Sequence, residues 1–311
     1  APEVLHRTFG TTEGWLDLRV LDSTDPAAVA SVVDDLDPLS TLWIVASKSG
    51  TTTEPLAFQA DAWARAERAL RERHAPRSEH AGELMVAITD PGPSVEAIPH
   101  HDALREVFLN PPDIGGRYSA LTYVGLVPAS LIGVDIDPFL ASATAMLDAC
   151  REPDPDANPG VSLGLAIATL AKAGRDKLTF LPDAAIASFG SWAEQLIAES
   201  TGKHGTGIVP VDGEPLGAVE AYGSDRVFVR MTLSDGGGDG GDGGNGRNGR
   251  DAADRAADRA ADALADAAAA DRAADRAADR AADALADAAA AAGHPVIRID
   301  LADPIDLAAE V

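Results

Sequence analysis

Short runs of apolar, mostly β-branched residues recur along this chain, separated by stretches in which apolar residues return every three or four positions. LRVLD (18–22), TLWIVAS (41–47), ELMVAITD (83–90) and REVFLN (105–110) predict strands. Between them, residues 25–36 and 52–75 have helical spacing, the first opening on Asp25 as an N-cap. The middle reads as helices over 119–133, 137–152 and 160–174. Strand–helix alternation then resumes, with strands at 176–182, 225–231 and 294–301 and a helix at 184–200. Alternation of this kind predicts parallel sheets covered by helices on both faces. It divides the chain into two α/β units, 1–134 and 135–311.

Between the last two predicted strands the pattern breaks down, and 234–292 reads as a low-complexity insert. Residues 234–250, SDGGGDGGDGGNGRNGR, predict a flexible linker, because glycine loses the most backbone entropy on ordering. A calcium-binding glycine–aspartate repeat would need a strict nonapeptide with an apolar position, which is absent. Residues 254–270 recur identically at 275–291, built from a DRAA tetrad. Alanine is the best helix former, and Leu264 and Leu285 are the only large apolar residues there. The segment therefore predicts a solvated Ala-rich helix in the place of a crossover helix, with no amphipathic stripe for a membrane or a partner.

Composition narrows the function. A net charge of −25 and a pI near 4.4 argue against nucleic-acid partners, which require a basic face, and against anionic membranes. No apolar run is long enough to span a bilayer, and the first residues lack a signal-peptide core. One cysteine, Cys150, permits no disulfide within the chain and reads as a small core hydrophobe; a reducing cytoplasm suits it. His100 and His101 are adjacent, with no further ligand at metal spacing, and read as loop residues.

The chemistry concentrates in SKSGTTTE (47–54), directly after a predicted strand. Ligands in open α/β sheets lie beyond the carboxyl ends of strands, and a helix N-terminus suits an anion. Ser47, Ser49, Thr51 and Thr52 offer hydroxyls, Lys48 is adjacent, and Gly50 permits close backbone approach. A Thr51–Glu54 capping box would explain one hydroxyl of the group. The pattern GxxxxGK[ST] is absent, so a nucleoside triphosphate is not favoured.

SKSGTT after an apolar strand resembles the sugar-phosphate signature of the sugar isomerase (SIS) fold. GGRYSALTYVGLVPASLIGVDI (115–136) resembles the GGRxS motif of glucose-6-phosphate isomerases, and QLIAESTGKHGTGIVPVDGEPLG (195–217) their Q-x-x-x-E-S-x-G-K motif. The spelling is most similar to the isomerase part of bifunctional transaldolase/glucose-6-phosphate isomerases. The resemblance implies an SIS-type three-layer αβα sandwich with parallel sheets, in two SIS-like units. It implies interconversion of glucose 6-phosphate and fructose 6-phosphate through a cis-enediol, with no metal or cofactor. Ser47, Lys48, Ser49, Thr51 and Thr52 match the phosphate loop, Gly116 and Arg117 the GGR pair, Gln195 a substrate contact and Glu199 the catalytic base. Tyr118 reads as packing. The family's GGS-type loop, ring-opening histidine and C-terminal lysine find no match, which implies part of a longer chain. A homodimer is expected from the same resemblance. The competing expectation is a non-catalytic SIS module that senses sugar phosphate; it would need the loop but neither Arg117 nor Glu199.

Overall fold

The structure, a computed structural model, describes residues 1–76, 79–234 and 252–307, with the side chains of 252–266 outside the description. The chain divides into two compact units, the first Ala1–Leu140 and the second beginning at Ala141.

The first unit carries a three-stranded parallel sheet, β1 (Trp43–Ala46), β2 (Met85–Thr89) and β3 (Glu106–Leu109), in the order β1-β2-β3. All five residues of β2 are buried, as a strand covered on both faces must be. Its helices are α1 (Pro2–Phe9), α2 (Pro26–Val33), α3 (Thr53–Glu72), α4 (Pro93–Ala97) and α5 (Tyr123–Leu131), followed by α6 (Ile136–Ala149), which runs past the end of the unit. Asp25 caps α2 as expected, its carboxylate accepting from the Ala27 and Ala28 amides at 3.0 Å each. Helix α3 packs on β1, burying Gln59, Ala62 and Ala66. The expected strand at 18–22 does not form. A β-branched run becomes a strand only where a sheet edge offers it a ladder, and none pairs with these residues in the described structure.

The second unit carries α7 (Pro159–Lys172), β4 (Lys177–Pro182), α8 (Ser188–Thr201), β5 (Val209–Val211), β6 (Arg226–Leu233), α9 (Ala252–Ala291) and β7 (Val296–Leu301). The four strands are parallel, in the order β5-β4-β6-β7. Strand β5 went unpredicted: it is three residues long and contains Pro210, tolerated because β5 is an edge. Residues Val227–Met231 of β6 are consecutively buried, so this sheet too is covered on both sides. The α/β architecture with parallel sheets expected from the sequence is the one observed.

The second repeat copy departs from the solvated helix expected. Helix α9 is the crossover between β6 and β7, and it is packed rather than free. Ala282, Leu285, Ala286 and Ala289 bury against Leu181 and Phe228. Alanines leave room for a close helix–sheet approach, and aspartates on the same stretch reach the sheet and the turn after β4. Arg230, 1% exposed, pairs with Asp283 at 2.8 Å and with Asp183 at 2.5 Å, and donates to the Leu181 and Met231 carbonyls. Asp279 accepts from the Ala184 amide at 2.9 Å; burial pushes its carboxyl above the usual range. The glycine-rich linker expected at 234–250 lies, apart from Ser234, outside the described residues.

Cys150 is half-buried, its carbonyl accepting from the Asn158 side-chain amide. His100, with φ of 59°, stacks on Trp63 at 4.0 Å, and His101 begins a short 3-10 turn. Among the described residues no three His, Cys, Asp or Glu side chains cluster as metal ligands, and no helix is long and apolar enough to cross a membrane.

Candidate active site

The residue after each strand of the first sheet lines one cleft. Ser47 follows β1, Asp90 follows β2 and Asn110 follows β3. The ladder extends just far enough to fix them: the Ser47 amide donates to the Ile88 carbonyl, that of Asp90 to the Lys48 carbonyl, and that of Asn110 to the Thr89 carbonyl. Lys48, Gly116, Ser119 and Thr122 complete much of the lining, and the cleft holds about 180 Å³.

The SKSGTT loop leads from β1 into α3. Gly50 has φ of +66°, and a Cβ there would lie 2.0 Å from the Ser94 carbonyl oxygen, so the loop is pressed against α4. Ser47 is 6% exposed and its Oγ donates to Thr52 Oγ1 at 3.0 Å. Ser49 Oγ and Thr51 Oγ1 are 2.8 Å apart. These hydroxyls thus pair with one another within the loop. The expected Thr51–Glu54 capping box does not form: Thr52 is the N-cap of α3, and no side chain caps it. The hydroxyls are therefore not explained by starting the helix.

Lys48 runs across the cleft instead of out to the loop. Its ammonium lies 2.5 Å from Asp90 Oδ2 and donates to the Pro112 carbonyl at 2.8 Å. That bond ties the β1 loop to the segment entering GGR. Gly116 opens a 3-10 helix, Gly116–Leu121, and lines the cleft. Arg117 is half-buried, its guanidinium 5.6 Å from the centre of the Tyr118 ring. Tyr118, read from sequence as a packing residue, is 53% exposed and packs beneath the Arg117 guanidinium.

Gln195 and Glu199 stand on α8 of the second unit, four residues apart and so on one helix face. The Gln195 amide nitrogen donates to Glu199 Oε1 at 3.1 Å, which fixes one carboxylate oxygen. Both side chains are exposed, while the buried residues of α8, Phe189, Gly190, Trp192 and Ala193, belong to its N-terminal half. The turn after the helix is closed by Thr201, whose hydroxyl accepts from the Ile208 amide at 3.0 Å. The structure thus gathers Ser47, Lys48 and Gly116 at one cleft, leaves Ser49, Thr51 and Thr52 on the adjoining loop outside its lining, and pairs Gln195 with Glu199 on another element. Asp90 and Asn110, which the sequence did not single out, also line the cleft. The strand-end rule that singled out Ser47 applies equally to them, but no hydroxyl cluster drew attention there.

The model of the family described as "Phosphoglucose isomerase" matches residues 1–213. The chain belongs to the phosphoglucose isomerase family. It is 33% identical over 206 residues to a glucose-6-phosphate isomerase of Prochlorococcus marinus, covering 65% of this chain and 38% of that protein. It is 36% identical over 206 residues to one of Thermosynechococcus vestitus, covering 65% of this chain and 37% of the relative. The chain therefore spans less than half the length of these relatives. Among solved structures, a hypothetical protein of Thermus thermophilus matches with a TM-score of 0.72 and 22% identity, over 99% of this chain and 72% of the other. A glucose-6-phosphate isomerase of Chlamydia trachomatis matches with a TM-score of 0.55 and 23% identity, over 75% of this chain and 47% of the other. Both likenesses concern the fold. The family match covers all three sequence motifs up to β5 and stops before β6, α9 and β7.

Proposed function

We propose that this chain carries the phosphate-holding and proton-transfer parts of a glucose-6-phosphate isomerase, interconverting glucose 6-phosphate and fructose 6-phosphate. The observation that carries the reading is the hydroxyl-rich loop at the carboxyl end of β1, opening on a cleft that the GGR segment also lines. Membership of the phosphoglucose isomerase family supports it.

The phosphate settles on Ser49, Thr51 and Thr52 with the Ser47 hydroxyl behind them. Lys48 acts by holding the GGR segment against the loop through Pro112, and its charge contributes to the field at the cleft. The Glu199 carboxylate takes the proton from C2 of the open-chain aldose and returns it to C1, giving the ketose through a cis-enediolate. Such a base is worth ~10²–10⁴-fold when its reach is right. Gln195 orients the carboxylate, and the Arg117 guanidinium stabilises charge developing on the enediolate oxygens. The scheme calls for no metal or cofactor. A homodimer without nucleic-acid or membrane partners, a cytoplasmic site of action, and descent from a transaldolase-fused enzyme complete the proposal.

The test is conversion of fructose 6-phosphate by this chain, coupled to glucose-6-phosphate dehydrogenase, beside Glu199→Gln. The variant should lose at least about a hundredfold in kcat. Undiminished turnover in the variant would remove Glu199 from its role. Binding of the sugar phosphate without turnover by the unmodified chain would favour a sensing module.

A further inference from the structure

We infer that Asp90 is a positioning residue that sets the charge specificity of the cleft: as the fixed counter-anion of Lys48, it offsets the ammonium and lowers the affinity for highly charged phosphates relative to a sugar monophosphate. The inference rests on the sugar-phosphate reading of the same cleft and adds to it a residue that the motifs leave out.

Lys48 and Asp90 both line the cleft, and solvent reaches both side chains, 42% and 14% exposed respectively. The Lys48 ammonium lies 2.5 Å from Asp90 Oδ2. The backbone fixes this pairing. The Asp90 amide donates to the Lys48 carbonyl at 3.1 Å, and the Thr89 hydroxyl donates to the same carbonyl at 3.3 Å, so the carboxylate is anchored beside the residue whose charge it meets. A lysine among the hydroxyls of SKSGTT would ordinarily be the cation that meets a phosphate. Here its charge is already matched, one to one. Stability gives little reason to hold it so, because a pair this open to water contributes little. Nor does the GGR segment need the carboxylate: the ammonium reaches that segment through the Pro112 carbonyl at 2.8 Å. What Asp90 adds is negative charge.

Distance makes that charge felt at the loop. Neighbouring parallel strands lie about 4.8 Å apart, and Ser47 and Ser49 flank Lys48 in the chain. A phosphate on the loop is therefore on the order of 10 Å or less from both charges, within one Debye length at about 0.1 M salt. The two charges nearly cancel there, and recognition falls to the loop hydroxyls and to what the sugar adds. A sugar phosphate gains from both. A bare polyanion gains chiefly from charge, which the pair withholds.

Asp90→Asn separates charge from shape, since the amide keeps the size of the carboxylate and its oxygen can still accept from Lys48. The experiment is calorimetric titration of the whole chain with inorganic phosphate, pyrophosphate and fructose 6-phosphate, at about 20 mM and about 150 mM ionic strength. The proteins are the unmodified chain, Asp90→Asn, Lys48→Met and the double variant, with a thermal melt of each. At the lower salt Asp90→Asn should bind phosphate and fructose 6-phosphate about threefold to tenfold more tightly and pyrophosphate by a larger factor, the gains shrinking at the higher salt. Its melting midpoint should stay within about 3 °C of the unmodified chain's. Lys48→Met should bind all three more weakly, and adding Asp90→Asn to it should recover most of the loss. Affinities unchanged or weakened in Asp90→Asn would overturn the inference, the second outcome making the carboxylate a support of the loop or a contact of the sugar. So would a gain no larger for pyrophosphate than for phosphate, or a double variant as weak as Lys48→Met alone. An unmodified chain that binds none of the three compounds would overturn the sugar-phosphate reading itself, and the inference with it.

Discussion

Arg230 sits 1% exposed in the middle of β6, with carboxylates of two other segments on it. In DRVFVRM the arginine looks like the polar half of an alternating strand, pointing to water. The fold turns that face towards α9, and Asp283 and Asp183 supply the countercharge. Removing the arginine leaves the Asp183 carboxylate, 11% exposed, without its countercharge, while Asp283 is half exposed. Arg230→Ala should therefore lose about 3–5 kcal/mol in urea unfolding. A loss below about 1 kcal/mol would show the site to be hydrated and the pairs no stronger than surface ones. Of the residues that motifs singled out, Ser47 and Gly116 line the cleft, and Gln195 and Glu199 pair on one helix face. Asp90 and Asn110 were not singled out, since what marks them is adjacency across a parallel ladder, which local spacing does not contain.

At the scale of elements, apolar periodicity anticipated most helices and strands but failed in two instructive places. LRVLD has strand composition and forms none, because backbone pairing is a property of two segments. The DRAA repeat has helical composition and an unreadable face, because alanine is at home both in solvent and in a tight contact. Its buried stripe is made by Ala282, Ala286 and Ala289 around a single large residue, Leu285. Among the described residues, the buried stripe and the aspartates that reach the rest of the unit lie at Asp279 or beyond, within the second copy. Deleting residues 251–271 should leave the thermal midpoint within about 2 °C of the full chain, a change of at most about 1 kcal/mol for a domain of this size. A larger drop would mean that the first copy carries packing of its own.

Across the whole molecule the charge imbalance dominates, with 50 acidic residues against 25 Lys and Arg. Self-repulsion of that size works against the compact state and is screened by salt. Raising ionic strength from about 10 mM to about 150 mM shortens the Debye length from roughly 30 Å to roughly 8 Å, and should raise the melting midpoint at neutral pH. A fall over the same range would indicate that local ion pairs such as Lys48–Asp90 and Arg230–Asp283 outweigh the net repulsion.

By itself the sequence determined the α/β class, the parallel sheets, the family and the loop at the end of β1. Those rest on local propensity, on the period of apolar residues and on contiguous motifs, all of which are written along the chain. Only the tertiary structure decided that Lys48 turns to Asp90, that Asn110 is buried beside the cleft, and that the alanine repeat anchors a buried arginine. Each of these depends on which residues from distant segments are brought side by side in a medium of low dielectric. There a charge must find its partner, and an unpaired polar atom stands out.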